Sequence, residues 1–201
     1  MKRIFVLPLT MFCLLANAQI TTITPGTKAP AFDLPGVDGR EISFASFPKA
    51  KGYIIVFTCN TCPVAQRYEQ RIIDLNAKYA PLGYPVIAIN PNDPELASGD
   101  SYDAMKERAK AKHYQFPYLF DKGQKITDAY GAKSTPHIFL VQKTNDNYIV
   151  VYTGAIDNDQ ENNNSSRTVY IDHAINDLST GKTPDPSITR AIGCSVKRKK
   201  A

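Results

Sequence analysis

Residues 53–57, Tyr-Ile-Ile-Val-Phe, form an unbroken apolar run of β-branched and aromatic side chains. Such a run predicts a central strand buried on both faces. From Pro63 the rhythm changes. Val64, Tyr68, Ile72, Leu75 and Tyr79 recur every three or four positions, with Arg67, Glu69, Arg71 and Asp74 between them. That period predicts an amphipathic helix. Pro63 suits its first turn, where a missing N–H costs least. Tyr68, Tyr79 and Tyr84 read as core or half-buried aromatics.

Upstream, residues 31–34 and 41–44 flank the turn-forming "PGVDG", which predicts a hairpin. Downstream, strands are expected at 84–90, 137–141 and 148–154. A charged surface helix is expected at 101–112 with Ser101 as its cap. A short helix over 125–131 and an amphipathic helix over 167–179 follow. The order predicts an α/β fold with a right-handed parallel crossover between the first two core strands and a final antiparallel hairpin. His113 and His173 read as surface residues. The loop "DNDQENNNSS", 157–166, is rich in oxygen donors but lacks the glycine and distant glutamate of an EF-hand, so it reads as a solvated loop.

The two ends of the chain change the picture of charge. Residues 1–18 combine a basic start, a short apolar stretch and Ala16-Asn17-Ala18, the pattern of a secretory signal peptide. The expected division is signal peptide 1–18, one domain over 19–180 and a solvated tail over 181–201. The formal charge is +5, with 24 Lys+Arg against 19 Asp+Glu. Lys2 and Arg3 would leave with the signal, and Lys197–Lys200 sit in the tail. Setting those six aside leaves 18 basic against 19 acidic groups, so the domain is near neutral. No nucleic-acid partner is implied, and no later segment is apolar enough to span a membrane.

Cysteine arithmetic narrows the chemistry. Without Cys13 of the signal, Cys59, Cys62 and Cys194 remain, and three thiols cannot all pair within one chain. Cys59 and Cys62 stand at Cys-x-x-Cys spacing where a buried strand gives way to a helix. Orphan N–H groups and the positive end of the helix dipole favour a thiolate there, so a depressed pKa is expected for Cys59 or Cys62. A structural staple of so short a loop would constrain little. Cys194 reads first as a structural cysteine, with a third redox thiol reaching Cys59 or Cys62 as the alternative.

These residues resemble the thioredoxin fold, in its exported peroxiredoxin-like and thiol-reductase (AhpC/TSA-like) branch. The resemblance rests on "FTCNTCP" at Phe57–Pro63, on "KSTPHIFLV", on Tyr152–Asp157 and on Gly193–Lys197. It implies a three-layer sandwich with an N-terminal hairpin extension and a helical insertion before the strand that carries a cis-proline. That proline would be Pro136, with Thr135 and Thr58 beside the substrate and Thr135 offering its backbone to a bound peptide. The chain departs from thioredoxin in lacking Trp and the Gly-Pro pair between the cysteines. The acid that many thioredoxins bury six residues before the first cysteine falls on Tyr53.

The reading that follows is an exported, monomeric thiol–disulfide oxidoreductase, periplasmic or secreted, with no cofactor. Cys59 is expected as the exposed attacking sulfur and Cys62 as the deeper resolving one. Protein disulfides and an upstream thiol donor or acceptor would be its partners. The alternative is a thiol-dependent peroxidase of antioxidant function, since Cys62-Pro63 echoes a peroxidatic helix start. Against it, Cys59 and Ile55 stand where a peroxiredoxin has Thr and Pro. The third reading is a copper or zinc carrier built on Cys59, Cys62 and His137.

Overall fold

The computed structural model describes residues 20–145 and 147–199; the proposed signal peptide lies outside them. The elements in chain order are β1 (Leu34–Pro35), β2 (Glu41–Ile42), β3 (Gly52–Phe57), α1 (Pro63–Tyr79), β4 (Val86–Asn90), α2 (Tyr102–Ala111), β5 (Tyr118–Phe120), α3 (Lys125–Tyr130), β6 (Ser134–Thr135), β7 (His137–Thr144), β8 (Asn147–Gly154), α4 (Tyr170–Ser179) and β9 (Cys194–Ser195). The apolar run at 53–57 is the middle of the main sheet, whose order is β5-β4-β3-β7-β8. β3 pairs parallel with β4 and antiparallel with β7, and β7 with β8 is an antiparallel hairpin.

Alternation along β3 divides the core in two. Ile54 and Val56 point to a cluster that includes Tyr68, Ile72, Leu75 and Tyr79 of α1, Met105 of α2 and Ile171 and Ile175 of α4. Tyr53, Ile55 and Phe57 point the other way, onto Phe32, Leu34, Ile42 and Phe44 of the N-terminal segment and Tyr130 of α3. The result is the three-layer sandwich expected, of thioredoxin type. Every β3 residue is buried, and each such apolar side chain contributes about 1.5–3 kcal/mol of transfer free energy.

Two positions that helical periodicity places on the polar face of α1 are in fact buried. Arg71 forms an ion pair with Asp157 at 2.7 Å, with both side chains buried. Glu69 receives Arg108, Tyr114 and Lys112. The loop after β8 therefore has a buried root. Asp157 is held by Arg71 and Tyr68, and the Asp159 carboxylate accepts the N–H groups of Asn163 and Asn164. Residues 161–167 are exposed, as a solvated loop requires.

The segment expected to be a solvated tail is bound to the domain instead. The Thr153 N–H donates to Ser187 O, and the Thr189 N–H donates to Thr153 O. Further on, β9 pairs antiparallel with β6, placing Cys194 opposite Thr135 and Ser195 opposite Ser134. The basic groups are engaged as well: Arg198 with Asp128, and Lys199 with Glu95. Charge composition alone hid this, because backbone pairing and buried apolar side chains, Pro184 and Val196, help to hold the segment.

Candidate active site: a buried cysteine cluster under the chain's own tail

β3 ends at Phe57, and the chain makes a short turn before Pro63 opens α1. Thr58 extends the sheet pairing by one residue, its N–H donating to Ile89 O at 2.9 Å. Cys62 is the N-cap of α1, with its sulfur 3.5 Å from the Ala65 nitrogen, and Pro63 takes the first turn. A sulfur at this position faces the free N–H groups and positive dipole of a 17-residue helix.

Cys62 is disulfide-bonded to Cys194, 132 positions later, with Cα atoms 5.9 Å apart. Cys59 is the free cysteine among the described residues. All three belong to one small cluster with Ala65 and Val64. Thr135 touches both members of the Cys-x-x-Cys pair. Its hydroxyl lies 3.2 Å from the Cys59 sulfur, and its carbonyl oxygen lies 3.2 Å from the Cys62 sulfur. The Thr135–Pro136 peptide is cis.

Cys59 differs from expectation in two respects. It is 5% exposed, hardly more than Cys62 at 3%, because Val64 and Cys194 pack against both. Its pKa is raised, not lowered. Burial pushes the thiol up, and the nearby Asp100 carboxylate adds to that. The Thr135 hydroxyl and the backbone N–H groups of Cys62 and Thr61 pull the other way without prevailing.

Asp100 was not singled out by sequence reasoning. It is fully buried and receives five donors: the N–H groups of Asn60 (2.6 Å) and Thr61 (3.3 Å), the Thr61 hydroxyl (2.6 Å), and the side-chain amides of Asn90 (3.3 Å) and Asn92 (2.8 Å). Tyr118 extends the network by donating to Asn60 Oδ1 at 2.9 Å. The residues between the two cysteines are thus fixed by a carboxylate from a loop 40 positions away. The signal was weak: "PNDPELASGD" reads as an ordinary polar loop. Tyr53, at the position where many thioredoxins bury an acid, donates to Phe44 O at 2.6 Å.

His137 does not join the cysteines as a metal ligand. Its Nε2 lies 3.1 Å from the Thr153 hydroxyl and its ring rests on Phe139. Among the described residues no three His, Cys, Asp or Glu side chains converge to hold a metal. Burial, with a smaller effect of Lys133, drops the His137 pKa to about 4.

The model of the AhpC/TSA family matches residues 25–156, which include both cysteines of the pair, Thr135 and Pro136. The chain belongs to that family. Among its relatives is the thiol–disulfide oxidoreductase ResA of Halalkalibacterium halodurans, 28% identical over 131 residues, which are 65% of this chain and 69% of ResA. Another is the chloroplastic peroxiredoxin Q of Sedum lineare, 25% identical over 118 residues, 59% of either chain. The crystal structure of a hypothetical protein from Sinorhizobium meliloti 1021 is similar with a TM-score of 0.82 and 30% identity, over 90% of this chain and 98% of that one. As an AhpC/TSA member with such relatives, the chain is an enzyme of the thioredoxin-like class. No described helix is long and apolar enough to cross a membrane. Cys194 lies beyond the matched residues.

Proposed function

We propose that the protein is an exported, monomeric thiol–disulfide oxidoreductase that acts on protein disulfides through Cys59 and Cys62. The observation that carries this reading is the state of Cys62. It caps α1, where a thiolate is best stabilised, and it already holds another cysteine in a disulfide beside Thr135. A sulfur at a helix N-terminus is stabilised as an anion once its disulfide opens, so it can leave and can attack. This reading assigns the roles in the reverse of the sequence expectation: Cys62 forms the mixed disulfide and Cys59 resolves it. Thr135 and Pro136 line the groove beside the sulfurs. An upstream thiol donor or acceptor recharges the pair. Export rests on the signal-like sequence of residues 1–18, a pattern that supports a mature protein in the periplasm or outside the cell.

Insulin-disulfide reduction with excess dithiothreitol tests the reading. Cys62→Ser should abolish it, and retained turnover would sink the assignment.

A second reading has its own observation. Cys62 lies at a helix start followed by Pro63 and is bridged to a distant cysteine, the layout of a peroxide-reducing thiol with a resolving partner. In that reaction the Cys62 thiolate attacks one peroxide oxygen, the O–O bond breaks with hydroxide leaving, and the sulfur becomes a sulfenic acid. The Cys194 thiol then displaces water to form the disulfide. Hydrogen peroxide consumption far above that of free cysteine, lost in Cys62→Ser with insulin reduction absent, would put this reading first.

A further inference from the structure

The last residues of the domain are built into the site. β9 runs along β6 by backbone pairing, and the Val196 N–H donates to Lys133 O at 3.1 Å. Gly193 lies so close to Thr135 that any side chain there would collide with the Thr135 carbonyl and the Pro136 nitrogen. Lys197 is anchored by its backbone: its N–H donates to Asn92 Oδ1 at 2.9 Å, and its carbonyl accepts the Asp93 N–H and the Gln124 amide. Arg198 donates to Ala132 O. Within 193–197 nearly all of these contacts use main-chain atoms, so they would serve any extended segment with a glycine before its cysteine.

We propose that Gly193–Lys197 is a built-in occupant of the substrate groove, that Cys59 ejects it by attacking the Cys62–Cys194 bond, and that the vacated groove accepts an extended Gly-Cys segment of a partner protein. The proposal rests on the reading of Cys59 and Cys62 as the exchanging pair. The step balances internally. The Cys59 thiol loses its proton to solvent and its sulfur bonds to the Cys62 sulfur. The Cys62–Cys194 bond breaks, its electron pair leaves on Cys194, and Cys194 takes a proton from solvent. One disulfide replaces another with no net oxidation, so no external reductant is required.

Both sulfurs of the pair contact Thr135, and the same residue pairs with Cys194. Ejection therefore frees the edge of β6 when the Cys59–Cys62 bond forms. The occupied groove also accounts for the burial of Cys59. A partner that docked there would replace Cys194 opposite Thr135 and present its own sulfur to Cys62.

The test is thiol mapping on the oxidised chain from residue 19 to the end, without reductant. The protein is incubated at neutral and at mildly alkaline pH, acid-quenched, alkylated after unfolding and digested. In wild type the alkyl label should move from Cys59 to Cys194 as pH rises. Amide exchange at Val196 and Lys197 should quicken with it. Gly193→Val, which crowds Thr135 and weakens the docked segment, should put the label on Cys194 already at neutral pH. In a reduced Cys59→Ser/Cys194→Ala variant, a Gly-Cys peptide presented as a glutathione mixed disulfide should couple to Cys62 at least about tenfold faster than its Val-Cys counterpart. Label confined to Cys59 in both wild type and Gly193→Val, or equal coupling of the two peptides, would overturn the proposal. If insulin reduction persists in that case, only the relay is wrong. If the label moves but insulin is not reduced, the relay stands and the reading as an oxidoreductase fails.

Discussion

The Asp100 carboxylate holds the backbone N–H of Asn60 at 2.6 Å, and so fixes the turn between the two cysteines from a separate loop. The same carboxylate adds to the effect of burial in keeping the Cys59 thiol protonated. A thiol held this way is a poor nucleophile at neutral pH and becomes a better one as pH rises and more of it ionises.

Asp100→Asn keeps the shape and removes the charge. The rate of Cys59 alkylation should then rise at lower pH than in wild type. The substitution also turns an amide toward groups that donate, and a buried network that loses acceptors should cost about 1–3 kcal/mol of stability. Stopped-flow alkylation against pH, with urea unfolding alongside, reads both effects. An unmoved alkylation profile would show that Asp100 acts only as a strut.

His137 makes stability sensitive to acid. Its folded pKa of about 4 lies below the ordinary 6.5, because burial disfavours the charged ring. Between those values the unfolded chain binds a proton that the folded chain refuses, so stability falls as pH drops from 6.5 toward 4. The loss between pH 7 and pH 5 should be about 2 kcal/mol from this residue. His137→Leu should flatten that part of the stability curve, as measured by urea unfolding at each pH.

The Arg71–Asp157 pair should be costly to break from one side. Asp157→Ala leaves a buried guanidinium whose Nε and Nη2 already have no partner. The expected loss is about 3–5 kcal/mol. Converting both residues to apolar side chains of similar volume should recover most of it. A double-mutant cycle by chemical denaturation provides the check.

Ile55 is fully buried at the centre of the sheet, on the face that meets the N-terminal segment. Ile55→Ala should cost about 2–5 kcal/mol. Insulin reduction, measured below the unfolding transition, should change little, since the side chain points away from α1 and its capping cysteine.

Much of the fold was legible because it follows from period and punctuation. The apolar run at 53–57 suited a two-sided strand, and helix α1 begins at Pro63 and ends at Tyr79 in line with its pattern. The cis peptide at Pro136 came from the resemblance and not from spacing. The site was legible in its residue types but not in its pairing. Three cysteines without an even partner left Cys194 open, and nothing local marks a two-residue strand such as Cys194–Ser195. Asp100 and Arg71 were missed for a shared reason. A charged residue at a polar-looking position carries no sign that distant partners will bury it. The basic run at the end of the chain misled in the same way, since its docking depends on backbone atoms that composition does not report.

The central claim is that Cys62 is the sulfur that forms a mixed disulfide with substrate. The most direct measurement is to trap that species in two double variants, Cys59→Ser/Cys194→Ala and Cys62→Ser/Cys194→Ala, with reduced protein and a disulfide-containing protein substrate, and to map the adduct by mass spectrometry. The account predicts an accumulating adduct on Cys62 in the first variant and none in the second. An adduct on Cys59 in the second variant, with none in the first, would contradict it.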